Sequence, residues 1–390
     1  MDVFQRYYKL TEILMKSIGQ WPYQTRLVSR TFLGILIFFC TTQIVPQILA
    51  VIEFSDDPEV VLESISPFLV DAASFAKLVT CLFTSEMRLE MLNRVREDWK
   101  KWDGEREIVV LHEYAKNGKR MTTFYAVAVY FTTVLFVTQP VLPKLIDTLF
   151  YNGTKPGEFP FPVYYCQLDQ QKYYFYIIAY TYVGASMVLI ITIASDTMFI
   201  VHVQHVCGVF AAIGQKLKRV GEEEACEEEG RDINFENLAT CIDRHNGALE
   251  FAELLEDLYC PSFFFVVGFN MIIMSVTGLQ ILTRSNDPQE TVRFIAFVGA
   301  QMVHLYIESY ISQILMDHSL SIRDHIHSGK WYNISLKAQK LLGPMTMRCN
   351  TPCKLTAGKI CTMSVETFGT VRMGFTFLLL YFQQISPTIK

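Results

Sequence analysis

The last apolar stretch of the chain reads SVETFGTVRMGFTFLLLYFQQI, from Ser364 to Ile385. A helix of this length can cross a bilayer, because about 20 residues at 1.5 Å each span about 30 Å of hydrocarbon. Polar side chains interrupt its apolar surface, and each one costs free energy where it faces lipid without a partner. They are Thr367, Thr370, Arg372, Thr376, Gln383 and Gln384. Part of this helix is therefore expected to face protein or water.

The composition of the chain is typical of a membrane protein. Of its 390 residues, 51% are hydrophobic and 19% are charged, which is below the usual charged fraction of about a quarter. The net charge of −5 gives no indication of nucleic-acid binding, because nucleic-acid-binding proteins carry basic faces. Residues 1–30 lack the apolar core of a cleavable signal peptide. We therefore expect the N-terminus to remain in the cytoplasm.

Seven apolar runs divide the chain and predict an all-α protein with seven transmembrane helices, numbered here as spans one to seven. The runs are Thr31–Ile52, Ser64–Phe83, Met121–Leu142, Tyr173–Phe199, Pro261–Leu282, Thr291–Met316 and Ser364–Ile385. Spans four and six are longer than a bilayer requires. We expect them to tilt or to continue as helices beyond the membrane.

Lysine and arginine are distributed unevenly between the loops. Twenty-six lie in residues 1–30, 84–120, 200–260 and 317–363, whereas five lie in the alternate segments. Because basic loops stay in the cytoplasm, we predict a cytoplasmic N-terminus and an extracellular C-terminus. A glycosylation sequon at Asn152 falls in an outer loop, where modification is expected. A second sequon at Asn333 falls on the inner side and should stay unmodified.

Helices are also predicted on the cytoplasmic side. His202–Val220 and Asn234–Leu258 flank the acidic sequence GEEEACEEEG, and Asn333–Met347 precedes the last span. The acidic run repels itself and is more typical of a solvated loop than of a cation site. Apolar residues recur at three- and four-residue steps in Asn234–Leu258, which indicates a packed face. We expect these helices and the inner ends of spans four to six to form a packed intracellular block.

The sequence contains no motif of a known catalytic or nucleotide-binding site. HExxH, GxSxG, Walker and GxGxxG patterns are missing, so neither an enzyme nor a cofactor is predicted. Cys349 and Cys353 are separated by three residues, but no second pair completes a tetrahedral zinc site. They are interpreted as ordinary thiols, and no metal site is predicted.

Charged residues within the spans are candidates for a functional role, because burying a charge in a membrane is costly. Asp71 and Lys77 on span two are six residues apart, so they do not share a helical face and need separate partners. Arg372 is expected to pair with Glu366 or Glu308. Such charges either fix helix packing or filter ions, and the sequence favours the first role.

A ligand cavity is predicted in the outer halves of spans two to six. Its candidate lining residues are Phe68, Asp71, Ala72 and Phe75 on span two, Tyr130, Val134 and Thr138 on span three, Tyr174, Ile177, Ile178 and Thr181 on span four, Met274 on span five, and Phe297, Val298 and Gln301 on span six. Aromatic and aliphatic walls with a few hydroxyl and amide groups suit a small, mostly apolar molecule. The alternative is that these residues form ordinary core.

A pore lining is predicted on the last span. Phe377, Tyr381 and Gln384 are spaced by four and then three residues, which places them on one helical face. Copies of this face from several subunits would enclose an aromatic constriction with an amide lining and little fixed charge. That lining is typical of a weakly selective cation path. The alternative is that the face packs against neighbouring spans.

Three segments of the chain resemble the insect odorant receptors. They are SDTMFIVHVQHVCGVFAAIGQKL from Ser195, CIDRHNGALEFAELLEDLYCPSFF from Cys241, and WYNISLKAQKLLGPMTMRCN from Trp331, which continues as KLTAGKICTMSVETF from Lys354. In the last span, Thr376-Phe377, five apolar residues and Gln383-Gln384 are similar to a signature of the related gustatory receptors. Phe replaces Tyr and Gln replaces Phe in that signature, which favours the odorant branch.

The resemblance implies a tetrameric ligand-gated cation channel in the plasma membrane of a sensory neuron. Residues 1–30 would form the cytoplasmic N-terminus and residues 31–316 would hold the first six spans with the odorant pocket. Residues 331–347 would belong to an intracellular anchor, and residues 364–385 would line the pore. Tyr381 would lie at the narrow gate and Gln384 one turn further out. The implied partners are an odorant co-receptor subunit, a volatile ligand and membrane lipid.

Three other functions remain open from the sequence. A gustatory-type receptor would form a homotetrameric channel without a partner. A metabotropic seven-helix receptor would need the opposite orientation, with glycosylation at Asn333 rather than Asn152. A transporter is less favoured, because no repeated half and no paired broken helices are found.

Overall fold

The computed structural model of the chain describes residues 3–150, 156–166, 168–221, 232–283 and 288–385, and side chains of the last helix as far as Tyr381. The helices are α1 (Val3–Tyr7), α2 (Lys9–Ser17), α3 (Arg26–Glu53), α4 (Pro58–Phe83), α5 (Ser85–Lys101), α6 (Ile108–Thr138), α7 (Leu142–Phe150), α8 (Tyr174–Arg219), α9 (Ile233–Thr283), α10 (Pro288–Ser328), α11 (Leu336–Arg348) and α12 (Val365–Ile385). A short 3-10 turn (Trp331–Asn333) and the strands β1 (Thr356–Ala357) and β2 (Cys361–Thr362) lie around α11.

Six helices of the described residues are long and apolar enough to cross a membrane. They are α3, α4, α6, α8, α9 and α10, and they contain the first six predicted spans. The seventh predicted span is α12, whose 21 residues extend over about 31 Å at 1.5 Å per residue. It is not among the six, because charged residues such as Glu366 and Arg372 reduce its apolar character.

The helical segments predicted between spans four and five are continuous with those spans. His202–Val220 continues α8, which has 46 residues, and Asn234–Leu258 belongs to α9, which has 51. At 1.5 Å per residue these helices are about 69 and 76 Å long, more than twice the thickness of a bilayer core. Pro261 lies inside α9 without ending it. The expected continuation of span four as a helix is thus observed.

The principal hydrophobic core surrounds the second half of α8. Every α8 residue from Ile193 to Phe210 is buried, because α2, α6, α9 and α10 pack against this helix. Gly208 allows α6 to approach closely, since a Cβ atom at this position would lie 3.0 Å from the Cβ of Tyr114. The core continues to α11 through Leu342. The predicted packing of these helices into one block is therefore observed, and its cytoplasmic location stays a prediction.

The segment between α10 and α12 differs from the single helix predicted over residues 331–347. Trp331–Asn333 form the 3-10 turn, and α11 begins only at Leu336, after Ser335 accepts a hydrogen bond from the Ala338 amide at 3.1 Å. An N-cap residue has non-helical backbone angles. The helix α11 therefore begins after Ser335 and does not include Trp331–Asn333.

A small antiparallel hairpin that the sequence did not predict connects α11 to α12. Gly358, Lys359 and Ile360 connect β1 to β2. Gly358 and Lys359 have φ values of +62° and +59°, as in a type I′ turn, which the Ile360 amide closes by donating to the Ala357 carbonyl at 3.1 Å. The Gly358 amide donates to the Cys260 carbonyl at 3.1 Å, and a Cβ atom at Gly358 would lie 2.6 Å from the Phe264 ring. The hairpin therefore fixes the beginning of α12 against α9.

Candidate functional site

A cavity of about 740 Å³ lies among α4, α6, α8, α9 and α10. It lies towards the beginnings of α8 and α10 and the ends of α6 and α9. Its apolar wall includes Val70, Val129, Leu135, Phe136, Val188, Leu189, Val266, Ile273, Val292 and Phe297. This volume falls within the range of about 300–1,000 Å³ that is usual for small-molecule sites.

Three of the fifteen predicted ligand-binding residues border this cavity. They are Asp71, Phe297 and Gln301. The α4 residues that border the cavity are Pro67, Val70, Asp71, Ala73, Ser74 and Lys77. Phe68, Ala72 and Phe75 each directly follow a residue that borders the cavity, but they do not border it themselves.

The other predicted residues occupy two different environments. Phe75, Tyr130 and Val134 are exposed on the outer surface of the bundle. The buried or half-buried ones pack elsewhere, and they are Thr138, Tyr174, Ile177, Ile178, Thr181, Met274 and Val298. Tyr174 and Ile178 form a small core of their own with Val141, and the Thr138 hydroxyl bonds to the Tyr182 hydroxyl at 2.7 Å.

A cluster of buried charges lies at the inner end of the cavity. Lys77 Nζ donates to Asp196 Oδ1 at 2.5 Å and to Glu308 Oε1 at 3.1 Å. The other carboxylate oxygen of Asp196 accepts from the Tyr125 hydroxyl at 2.5 Å and lies 3.1 Å from His304 Nε2. This charge cluster (Lys77, Tyr125, Asp196, His304 and Glu308) therefore connects α4, α6, α8 and α10.

The charge cluster contains three residues of the kind that ligate metal ions, and a lysine ammonium lies among them. Ligand-type atoms of Asp196, His304 and Glu308 lie within 4.8 Å of one another. The Lys77 ammonium lies among them and supplies the positive charge that the two carboxylates need. Because a buried charge is stable only when it is paired and hydrogen-bonded, the cluster is expected to hold four helices in a fixed arrangement.

The separate partners expected for Asp71 and Lys77 are confirmed. Lys77 is held by α8 and α10, whereas Asp71 accepts from Gln47 Nε2 on α3 at 2.9 Å. The pairing predicted for Arg372 is wrong: no ion pair joins it to Glu308 or Glu366 in the described part of the chain. Arg372 is exposed on α12, and Glu308 is bound to Lys77.

A second cavity of about 540 Å³ adjoins the first on its side towards the α7–α8 connection. Phe136 and Phe297 border both cavities, and their ring centroids are 5.0 Å apart. The Arg293 guanidinium lies 5.2 Å from the centre of the Phe136 ring, donates to the Pro160 carbonyl and pairs with Glu290 at 3.2 Å. Phe136 and Phe297 therefore form an aromatic partition between an outer and an inner cavity.

The predicted pore helix α12 is packed on one side. Phe368, Val371 and Phe375 pack against the core, whereas Phe377 and Tyr381 are 70% and 61% exposed on another face. The side chain of Gln384 lies outside the described residues. Asn152, the predicted glycosylation site, also lies outside them.

Several residues of the site were missed by sequence reasoning. Asp196, His304 and Glu308 are polar groups inside otherwise apolar runs, and that position alone was a signal that they need partners within the bundle. Asn270 gave the same signal in the middle of span five, and it borders the inner cavity.

The sequence and the fold were compared with those of known proteins. The model of the 7tm Odorant receptor family matches residues 57–375 of the chain. Odorant receptor 13a of Drosophila melanogaster is 21% identical over 65% of this chain, and the match spans 64% of that receptor. The chain thus covers slightly less than two thirds of this relative. Odorant receptor 22c of the same species is 20% identical over 95% of this chain and 94% of its own length.

The fold is similar to that of a solved structure. The insect olfactory receptor OR5 from Machilis hrabei, in complex with eugenol, aligns over 98% of both chains with a TM-score of 0.77 and 13% sequence identity. A second structure of OR5 from Machilis hrabei aligns with a TM-score of 0.75. These similarities, with the six span-length helices, confirm the predicted all-α membrane fold.

Proposed function

The chain belongs to the 7tm Odorant receptor family, and we propose that it is an odorant receptor subunit of a ligand-gated channel. In this proposal it binds a small, mostly apolar volatile molecule and gates a nonselective cation channel as a heterotetramer with an odorant co-receptor. It acts in the plasma membrane of a sensory neuron, with its N-terminus in the cytoplasm and its C-terminus outside.

The inner cavity is the observation that carries ligand binding. Its volume of about 740 Å³ accommodates a small organic molecule, and most of its wall consists of aliphatic and aromatic side chains. Volatile molecules are small and weakly polar, so their transfer from water to a cavity with such a wall is favourable. The eugenol complex of the similarly folded OR5 supports this class of ligand.

Contacts of α9 and α10 with α12 support a link between the cavity and the last helix. Both α9 and α10 border the cavity. A Cβ atom at Gly278 on α9 would lie 2.9 Å from Leu379, and the Tyr306 ring on α10 lies 5.3 Å from the Phe368 ring. A ligand that prefers one arrangement of α9 and α10 would therefore shift the population of α12 arrangements. We infer that opening separates the α12 helices at Tyr381.

The exposed face of α12 supports the proposed pore. Phe377 and Tyr381 lie on a face that the single chain leaves uncovered, which suits contact with other subunits or with a central water path. Gln384 follows on the same predicted face. A ring of aromatic and amide groups without fixed charge would discriminate weakly among cations.

Current recordings test this function. Cells expressing the chain with an insect odorant co-receptor are compared with cells expressing either subunit alone, across a broad odorant panel. We expect odour-evoked cation currents only with both subunits. Currents from the chain alone would favour a gustatory-type homotetramer. If the chain reaches the surface with the co-receptor and no odorant adds to the current of the co-receptor alone, the proposed function is wrong.

Glycosylation tests the proposed orientation. Replacing Asn152 by Gln should remove a glycan, seen as a mobility shift that glycosidase treatment of the unaltered protein reproduces. The matched change Asn333→Gln should leave the mobility unchanged, because this sequon lies on the predicted cytoplasmic side. A glycan at Asn333 would reverse the orientation and favour a metabotropic receptor.

A further inference from the structure

Asn270 is a buried polar residue of the inner cavity, and its side-chain oxygen has no hydrogen-bond partner among the described residues. It lies on α9 with 4% of its surface exposed, and it borders the cavity together with Val266 and Ile273 on the same face. Its Oδ1 atom is enclosed and accepts no hydrogen bond from any described residue. Native proteins rarely leave such a group unsatisfied, because it has lost its hydrogen bonds to water on burial.

Three other buried polar residues at the cavity wall have partners of their own. Gln43 donates to a backbone carbonyl of α8 at 3.2 Å, and the Ser74 hydroxyl bonds to a threonine hydroxyl of α8 at 2.9 Å. Lys77 is bound by two carboxylates. Among the described residues that border the cavity, Asn270 Oδ1 is the buried acceptor without a hydrogen bond, and Arg293 Nε is a buried donor without one.

We propose that Asn270 accepts a hydrogen bond from the hydroxyl group of the ligand, so that the subunit is tuned to alcohols and phenols. This inference rests on the proposed ligand-binding function of the cavity. A hydroxyl ligand restores the hydrogen bond that Oδ1 lacks, whereas a hydrocarbon of the same shape leaves it unsatisfied. A site with a buried polar group rejects analogues that cannot pair with it more strongly than an apolar wall rejects a change of size.

The charges around the cavity favour a neutral ligand over a carboxylic acid. Among the described residues, Lys77 and Arg293 are the lysine and arginine that border the cavity, and each already binds a carboxylate. An anionic ligand would therefore have to compete with Glu308 or Glu290 for its counter-charge. A neutral hydroxyl compound displaces no such pair.

Matched probes measured on the receptor–co-receptor complex test this preference. The probes are 1-hexanol, 2-hexanone and hexane, with benzyl alcohol and toluene as an aromatic pair. We expect the alcohols to activate at lower concentrations than the ketone or the hydrocarbons. Asn270→Leu, which has a similar size but no acceptor, should raise the half-activating concentration of the alcohols by about 3- to 10-fold and leave the hydrocarbons unchanged.

A neighbouring apolar position provides the control. Val266→Ala, one turn earlier on the same face, should weaken alcohols and hydrocarbons alike, because it removes only apolar contact. Asn270→Leu should not lower the surface level of the complex, since it removes an unpaired buried amide. A strong loss of folding in that variant would show that Asn270 has a structural partner and would overturn the inference.

Thermal unfolding of the purified complex separates this inference from the channel function. A bound ligand stabilises the folded state, so 1-hexanol should raise the melting temperature of the unaltered complex more than hexane does. Asn270→Leu should abolish that difference. If no probe evokes current but this pattern is seen, the channel function fails and the inference stands. Equal stabilisation by 1-hexanol and hexane, a preference for 2-hexanone, or an unchanged alcohol preference in Asn270→Leu would overturn it.

Discussion

Lys77 shows how a buried charge constrains this bundle. Its ammonium lies between Asp196 on α8 and Glu308 on α10, and its side chain is 3% exposed. Because two carboxylates face one ammonium in an environment almost free of water, each pair depends on the position of the others. The charge cluster therefore holds together the helices that form the inner end of the cavity.

Replacing Lys77 by Met should destabilise the protein strongly. Removing one partner of a buried ion pair costs about 3–5 kcal/mol, because the remaining charges stay buried without compensation. We expect a lower melting temperature of the purified protein and less protein at the cell surface. Lys340→Met, at an exposed position of α11, is the matched control and should have little effect. A Lys77→Met protein as stable as the unaltered one would show that the cluster does not stabilise the bundle.

Glu105, in the α5–α6 connection, is the centre of a second group of charged residues. Burial opposes its ionisation, but hydrogen bonds from Arg244 at 2.5 Å and Lys216 at 3.1 Å hold the pKa of Glu105 below its ordinary value of 4.5. The Arg244 guanidinium also lies 3.9 Å from the centre of the Trp102 ring. This group connects the α5–α6 loop to the beginning of α9 and the end of α8.

The pKa of Glu105 predicts a pH dependence of stability. A carboxyl group with a depressed folded-state pKa stabilises the protein above its unfolded-state pKa and loses this effect as the pH falls through the folded-state value. Glu105→Gln should therefore lower the melting temperature at pH 7, and the difference should shrink below pH 4.5. Thermal unfolding at both pH values measures it, with Glu113→Gln on α6 as a control. A difference independent of pH would contradict the ionic role.

At the level of secondary-structure elements, the aromatic partition joins α6 to α10. Phe136 near the end of α6 and Phe297 near the beginning of α10 separate the outer cavity from the inner one, with Arg293 placed against the Phe136 ring. Aromatic pairs of this kind contribute about 0.5–1.5 kcal/mol beyond their buried area. Pro67, Gln139, Phe161, Gln289 and Arg293 also border both cavities, so these two rings are part of a larger boundary between them.

Replacing Phe136 by Ala should open the partition. We expect odour-evoked currents to rise and decay several-fold faster, because the ligand passes between the cavities without moving a ring. The half-activating concentration should change by less than about 10-fold, since one aromatic contact is lost. Phe131→Ala, an exposed phenylalanine on the outer surface of α6, should leave the kinetics unchanged. Weaker activation without faster kinetics would indicate that Phe136 only contacts ligand.

At the scale of the whole molecule, none of the α12 side chains from Val365 to Tyr381 is fully buried in the single chain. Its inner side packs on α9 and α10, and the hairpin of β1 and β2 fixes its beginning, whereas Phe377 and Tyr381 remain largely exposed. On a membrane-spanning helix such exposed side chains face either lipid or another subunit. This exposure is consistent with the proposed assembly of several subunits around the α12 helices.

Tyr381→Ala should widen the proposed pore at its narrowest point. We expect a larger single-channel conductance and a higher resting current, because a bulky ring is removed from every copy of this subunit. Phe124→Ala, at a similarly exposed aromatic position on α6, is the control and should change the conductance little. Unchanged conductance and ion selectivity in Tyr381→Ala would place the pore elsewhere.

The sequence by itself determined the membrane class and the position of the spans. Hydropathy adds up along the chain, so runs such as Thr31–Ile52 and Tyr173–Phe199 predicted α3 and α8 without knowledge of their neighbours. The sequence also indicated that Asp71 and Lys77 need separate partners, because six residues of helix separate their directions. The family resemblance in the second half of the chain was readable in the same way.

Only the tertiary structure decided which face of each helix turns inward. In a membrane the lipid-facing side is as apolar as the core, so periodicity does not distinguish Phe68 and Ala72 from the cavity-facing Pro67 and Ser74. The partners of Lys77 come from helices more than 100 residues away, and the Gly358 hairpin depends on contact with α9. These features arise from packing between distant segments, which no local pattern of the sequence encodes.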